Sequence, residues 1–436
     1  MAGASSDPLS GVLPSGGAGI GFEARAERSP YVGAGTRYDF LPIYLYEGER
    51  VYLRSLSLGL KFGPSEERRF ELFLRSRLEG HPVDDIPPRL TGMAPREPGI
   101  DAGIGGQFGG SWGIAFAELL ADASQASNGT ELRLGYKYPV RSGALTVRPY
   151  ATLSLRSASL NDYYYGVRPE EARADRPAYE ADAGVTPELG VRLFYRLTER
   201  WTLLAGVSAA RLPDTVRASP IVERRTLGNL ELGLLYDVSP ERQPWPDRPL
   251  IVRALYGASS ECDVMVIAML RCTSTHTEDK TSIAGFELGR PFIRQLNDWP
   301  LDIAGFVGLT HHFERGTQHD FAEIRAYIKA YFYGFPWDAK LRTRLGLGVG
   351  LSYAHQVPFS EQRDQARRGR NTSRLLNTFD PTLDMNLGDL LDVAGLRRTY
   401  FGVGVSHRSG IFGTSELLRN VSGGSNYIYG YVETAF

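Results

Sequence analysis

The sequence predicts an all-β chain that crosses a membrane as antiparallel β-barrels. Three observations lead there. Many stretches alternate apolar residues with polar or small ones over the ~9–11 residues that a tilted membrane strand needs. Mean hydropathy is negative and no run of about 18 uninterrupted apolar residues occurs, so no spanning α-helix is available. The 436 residues include 49 glycines, 23 tyrosines and 20 phenylalanines, which suits crowded inner walls of small residues and aromatic girdles at both interfaces. A soluble β-sandwich also alternates, but with shorter strands on average, so strand length decides for the membrane.

In chain order, the first set of expected strands covers Ala18 to Ala26, Arg37 to Tyr46, Leu56 to Phe62, Arg69 to Leu78, Ile100 to Phe108, Trp112 to Leu120, Glu131 to Pro139, Leu145 to Leu155, Leu189 to Leu197, Trp201 to Arg211 and Leu227 to Tyr236. Within Leu145 to Leu155, Leu145, Val147, Ala151, Leu153 and Leu155 share one parity and Thr146, Arg148, Thr152 and Ser154 the other. The second set covers Ile251 to Gly257, Ser282 to Ile293, Leu301 to Phe313, Phe321 to Tyr333, Leu341 to Ala354, Leu383 to Leu391, Tyr400 to Ser409 and Asn426 to Phe436. Leu341 to Ala354 is the clearest: Leu345, Leu347, Val349 and Leu351 alternate with Arg344, Gly346, Gly348 and Gly350, apolar outside and polar or small inside. The total is about twenty strands.

Ser239 to Pro249 is the densest run of prolines and breaks any strand. The expected organisation is a flexible segment over 1–16, a barrel of about 12 strands over 17–238, a proline-rich linker over 239–249 and an eight-stranded barrel over 250–436. A single barrel of about twenty strands that crosses the proline-rich turn is the other arrangement allowed. The final strand stops at Phe436, and a bacterial barrel usually closes on an aromatic residue, so Phe436 reads as a signal to the insertion machinery. The expected location is the outer membrane of a Gram-negative bacterium. Met1 to Gly17 lacks the charged and apolar regions of a signal peptide, so the start reads as a mature chain with an added Met or as a truncated one.

With 49 basic and 50 acidic residues the net charge is −1, which gives no field to gather nucleic acid. The two cysteines, Cys262 and Cys272, lie close together between strands and read as a disulfide closing a surface loop in an oxidising compartment. Two Cys with His276 nearby supply too few ligands for a metal, and no metal or cofactor is expected.

Asp162-Tyr163-Tyr164-Tyr165-Gly166-Val167, Pro177-Ala178-Tyr179, Arg196-Leu197-Thr198-Glu199-Arg200-Trp201 and Ser219-Pro220-Ile221-Val222-Glu223-Arg224-Arg225 carry a resemblance of Gly17 to Tyr236 to the MltA-interacting, MipA/OmpV, family of outer-membrane proteins. The resemblance implies a barrel without known catalytic residues, a scaffolding or envelope-remodelling role, and peptidoglycan-processing enzymes as partners. The tyrosine run also reads as an aromatic girdle or packed loop.

The second half needs its own account. In Tyr400 to Ser409, Phe401, Val403 and Val405 share a parity with His407 and Ser409, so two polar residues fall on the lipid-facing wall. Because the last strand ends in the periplasm, the strand before it rises outward and places them near the outer leaflet, where lipopolysaccharide resides. An imidazole and a hydroxyl two strand positions apart, about 7 Å at the backbone, form a candidate nucleophile pair. This His-x-Ser pattern resembles the lipid A 3-O-deacylase (PagL) family, in which His407 would match the general base and Ser409 the nucleophile. Gly410 stands where that family has Asn, and Ser425 and Asn426 stand near its orienting Glu; Asn426 or Glu416 would then orient His407. The alternative is an interfacial polar cluster with Arg408 on lipopolysaccharide phosphate. Arg367, Arg368 and Arg370, in the basic run Arg363 to Arg374, bind lipid A phosphates or core sugars if that loop is extracellular and form a solvated loop if it is periplasmic. His311 and His312 alternate in direction and do not share an ion.

The leading functional expectation is an outer-membrane protein of MipA/OmpV type with a scaffolding or envelope-remodelling role, in contact with outer-membrane lipid and lipopolysaccharide. A lipid A deacylase acting through Ser409, His407 and Asn426 or Glu416 is the competing one. A passive porin is the third, and it requires the single large barrel.

Overall fold

The computed structural model describes residues 7–65, 67–82, 85–239, 249–269, 271–275, 278–296, 299–410, 415, 418–419, 421 and 423–436. Most of the proline-rich segment, His276 and Glu416 lie outside the described residues. The chain divides at Val238 into two compact units, and no described helix is long and apolar enough to cross a membrane.

The first unit holds β1 (Gly17–Arg28), β2 (Thr36–Glu47), β3 (Val51–Arg54), β4 (Ser57–Ser65), β5 (Arg68–Ser76), β6 (Ile100–Gly110), β7 (Gly113–Asp122), β8 (Thr130–Lys137), β9 (Val140–Ser142), β10 (Leu145–Arg156), β11 (Gly184–Arg196), β12 (Trp201–Arg211) and β13 (Thr226–Asp237). Twelve of these close a barrel: β1 pairs with both β2 and β13, β10 pairs with β11, and β9 only extends the edge beside β10. The sequence pattern missed β3 and β9, four and three residues long, because so few positions show no alternation. Phe22, Leu72, Ile104, Leu189 and Leu230 are exposed on the outer wall, an apolar belt suited to lipid. Inside, Arg77 reaches Asp101 and Glu131 at 2.7 Å each, Arg156 reaches Glu79 at 2.6 Å, and Arg75 reaches Glu118 at 2.8 Å. Such pairing is what makes buried charge tolerable.

Side chains fill a barrel of about eight strands, and a wider one needs other filling. Of the flexible start expected over 1–16, Asp7 to Leu13 instead supply that filling, and residues 1–6 lie outside the described residues. Leu9 and Leu13 pack with Ile43, Leu45, Phe194, Leu204 and Leu235. Arg69 donates to Ser10 Oγ at 2.7 Å and Arg148 to the Ser10 carbonyl at 3.0 Å.

The second unit holds β14 (Ile251–Ser259), β15 (Ser282–Ile293), β16 (Leu301–Phe313), β17 (Phe321–Phe332), β18 (Thr343–Ala354), β19 (Leu375–Asn386), β20 (Thr399–Ser409) and β21 (Asn426–Ala435). These eight strands form a second closed barrel, sealed by β14 against β21. The single barrel of about twenty strands is therefore overturned. The expected strand Leu383 to Leu391 is displaced: β19 begins at Leu375, and Leu387–Leu391 is a short helix capped by Asn386, whose side chain accepts from the Asp389 N–H at 3.0 Å. Asp380 and Asp384 of β19 are buried charges facing the lumen.

The centre of this barrel is a network around Arg253, which reaches Glu433 at 2.6 Å, Glu287 at 3.3 Å and Asp380 at 3.4 Å. Lys329 binds Asp380 at 2.5 Å, and Tyr327 donates to Glu287 at 2.6 Å. Glycines make room for it: a Cβ on Gly404 would lie 2.6 Å from the Tyr429 ring.

Ile251 and Ala435 are ladder partners at one end of the barrel. In an outer-membrane barrel that end faces the periplasm, and the longer connections face outward. The segments 260–281, 355–374 and 410–425 between strands are the long ones, and they share the opposite end.

Candidate functional site

Three of the four resemblance segments of the first unit, far apart in sequence, meet over one mouth of its barrel. There α1 (Ala158–Tyr165) and α2 (Asp214–Arg217) contribute to a cluster of Tyr31, Leu160, Tyr164, Tyr165, Val167, Ile221 and Val222. Ser157 caps α1 by accepting from the Leu160 N–H. Tyr31 donates to the Tyr164 carbonyl at 3.1 Å and Ser219 to the Tyr165 carbonyl at 2.6 Å. Val167 bridges to Tyr179, whose hydroxyl donates to the Thr215 carbonyl at 2.5 Å. Arg96 grips Glu171 at 3.0 and 2.8 Å. Burial opposes ionisation of Glu171, but hydrogen bonds from Arg96 and from the Ala94 and Arg168 N–H groups hold its carboxyl at about 2. Burial pushes His81 down to about 3, so its ring stays neutral beside the Tyr164 carbonyl. The tyrosine run is thus a packed cap. The remaining segment, Arg196 to Trp201, forms the turn between β11 and β12, where Thr198 Oγ1 accepts from the Arg200 and Trp201 N–H groups at 3.2 and 3.0 Å.

In the second unit β20 places His407 between Asn426 on β21 and Phe379 on β19. His407 Nδ1 lies 2.6 Å from Asn426 Oδ1, and Asn426 Nδ2 donates to the Cys262 carbonyl at 2.9 Å. Because the amide oxygen only accepts, Nδ1 carries the proton and Nε2 is the basic nitrogen. Ser409, half-buried, follows two residues on, beside Asn377. Cys262 and Cys272 form a disulfide. Its loop, with α3 (Val264–Ala268), packs Ile267 onto Val405, so the wall at His407 is covered. Met265, Val266 and Met269 of this loop are exposed.

Arg408 does not reach lipid phosphate. Strand alternation turns it into the lumen, where it is 1% exposed, donates to Ser352 Oγ at 3.1 Å and the Ser373 carbonyl at 3.0 Å, and lies 3.3 Å from Glu361. Glu361, on α4 (Phe359–Arg367), was not singled out by sequence reasoning. Burial pushes its carboxyl up to about 7 against the pull of Arg408. The one signal was a polar helix whose Glu361 and Gln365, both buried, share a face. Arg367, Arg368 and Arg370 are exposed on the same connection. His312 points inward and donates to Glu323 at 2.7 Å, whereas His311 points out, 3.7 Å from Asp320.

The family model described as MltA-interacting protein MipA matches residues 19–238, about half of the chain. The outer membrane protein YiaT of Escherichia coli (strain K12) is 28% identical over 207 residues, covering 47% of this chain and 84% of that one. The MltA-interacting protein of the same strain is 26% identical over 222 residues, covering 50% and 88%. Outer membrane protein Omp26La of Vibrio anguillarum is 33% identical over 134 residues, covering 31% and 52%. Among solved structures, the FrpB iron transporter of Neisseria meningitidis covers 99% of this chain and 83% of its own at 11% identity, but its TM-score of 0.25 carries no argument. The capped twelve-stranded barrel, with the resemblance segments built into it and this match along its length, makes the chain an outer-membrane β-barrel protein that belongs to the MipA family.

Proposed function

We propose that the chain is a non-conducting envelope scaffold whose first barrel holds a peptidoglycan-processing enzyme of the MltA kind at the inner surface of the outer membrane. One observation carries this reading: the first barrel is filled by Asp7 to Leu13 at one level and covered by the tyrosine cap at another, so its function falls to its rims and connections. The name of the MltA-interacting protein supplies the partner class. The test is co-purification of the membrane-embedded full chain with an MltA-type enzyme, alongside planar-bilayer recording. Capture without conductance is the expected result; a folded protein that captures nothing rejects the reading, and steady conductance revives the porin.

A second reading, an ester hydrolase acting on lipid A, is favoured by the oriented imidazole of His407. Ser409 Oγ would attack an acyl-ester carbonyl while His407 Nε2 takes its proton and then returns it to the departing alkoxide, with Asn426 fixing the ring. The loop over Val405 would have to lift for lipid to enter. Lipid A extracted from cells that express the parent or Ser409→Ala is compared by mass spectrometry. An acyl chain lost with the parent alone supports this reading, and identical lipid A in both rejects it.

A further inference from the structure

The two ends of the eight-stranded barrel are finished differently. Toward the outside, α4 buries Glu361 and Gln365 in the lumen. Toward the periplasm the lumen opens into a cavity of about 580 Å³, a size typical of small-ligand sites. Tyr331, Tyr333 and Tyr400 stand in its wall, and the Arg344 guanidinium lies 3.6 Å from the centre of the Tyr400 ring.

Four guanidinium groups and three carboxylates line this cup, and the carboxylates are already engaged. Asp302 accepts from the Gln295 N–H at 3.0 Å and the Tyr333 hydroxyl at 3.1 Å. Asp338 accepts from the N–H groups of Gly334, Phe335 and Thr343. Glu433 sits between Arg253 and Arg344. Of the cations, Arg342 is held by Asp389 at 2.7 Å and Arg344 by Asp384 at 2.8 Å. Arg398 is exposed at the rim and makes no side-chain hydrogen bond or ion pair among the described residues. The exposed Arg294 shares the rim. The cup therefore offers an uncommitted guanidinium fork for a carboxylate, with the half-buried Tyr333 and Tyr400 in the same wall to meet a sugar or peptide.

We propose that this cup binds a carboxylate-bearing sugar-peptide of the periplasm, the chemistry of a peptidoglycan fragment. The site deepens the scaffold reading by giving the second barrel a hold on the polymer that the partner enzyme would process, yet the two can fail separately. The full chain in detergent micelles is titrated calorimetrically with a disaccharide-tetrapeptide released from peptidoglycan, and with sodium phosphate as a competitor. The expected result is saturable binding that weakens about ten- to a hundredfold in Arg398→Ala, returns in part in Arg398→Lys, and is unchanged in Arg367→Ala at the opposite end. Heat-modifiable mobility in gels verifies that each variant is folded. No binding by the parent overturns the proposal, as does binding that Arg398→Ala and Arg294→Ala together leave intact. Displacement by equimolar phosphate reduces the cup to a general anion site and overturns it too. Binding without enzyme capture rejects the scaffold and leaves this inference standing; capture without binding does the reverse.

Discussion

The two barrels solve the problem of an interior in opposite ways. The twelve-stranded one encloses more space than its inward side chains fill, so an N-terminal segment and a loop cap occupy it. The eight-stranded one is filled by its own Arg253, Glu287, Lys329 and Asp380 network. The difference teaches where function can reside. In the wide barrel three of the four resemblance segments lie in the connections that make the closure. In the narrow barrel the outer wall and the open periplasmic end are the surfaces left for function.

Removing the hub of the narrow barrel tests this contrast most severely. Arg253→Leu removes the cation shared by Glu433, Glu287 and Asp380, which keep only Arg344, Arg325 and Lys329, and should cost about 3 kcal/mol; urea titration of the folded fraction should show the second barrel failing first. If the first fails equally, the two interiors are not independent. Arg96→Ala leaves Glu171 only the Ala94 and Arg168 N–H groups and should cost about 3 kcal/mol, read as early proteolytic cleavage in the cap with the second barrel intact.

The pH responses should have opposite signs. The Glu361 carboxyl is raised from 4.5 to about 7, so the stability it contributes is complete below pH 4.5 and is lost as pH rises through about 7, on the order of 3 kcal/mol. Glu361→Gln should abolish that loss in hydrogen exchange of α4. The Glu171 carboxyl is lowered from 4.5 to about 2, so the support it gives the cap is present above pH 4.5 and is lost as pH falls toward 2. Equal signs in the two regions would refute the assignment of these groups. The smallest effect expected is from Ser157→Ala, about 1 kcal/mol for the lost α1 cap, seen as slightly faster exchange in the first barrel alone.

The strand pattern was legible because a membrane barrel imposes it on every residue: outward positions meet lipid and inward positions meet charge, at a period of two. Leu345 and Leu347 on one face of β18, with Gly346 and Gly348 on the other, carry the rule without any neighbour's help. The same rule set the outward parity of His407. It also divides the expected surface cluster of His407, Arg408 and Ser409, because adjacent residues of a strand point to opposite faces and Arg408 turns into the lumen.

The sequence by itself determined the fold class, the break near the proline-rich run and the parity of every clear strand, since each depends on local alternation or composition. Only the tertiary structure decided that two barrels close separately, that Asp7 to Leu13 enter the first lumen, that Asn426 meets His407, and that an arginine-rimmed cup opens at one end of the second. These depend on register between strands and on contacts between separate segments of the chain. No local period encodes them, because packing selects among partners that the chain presents only once it has folded.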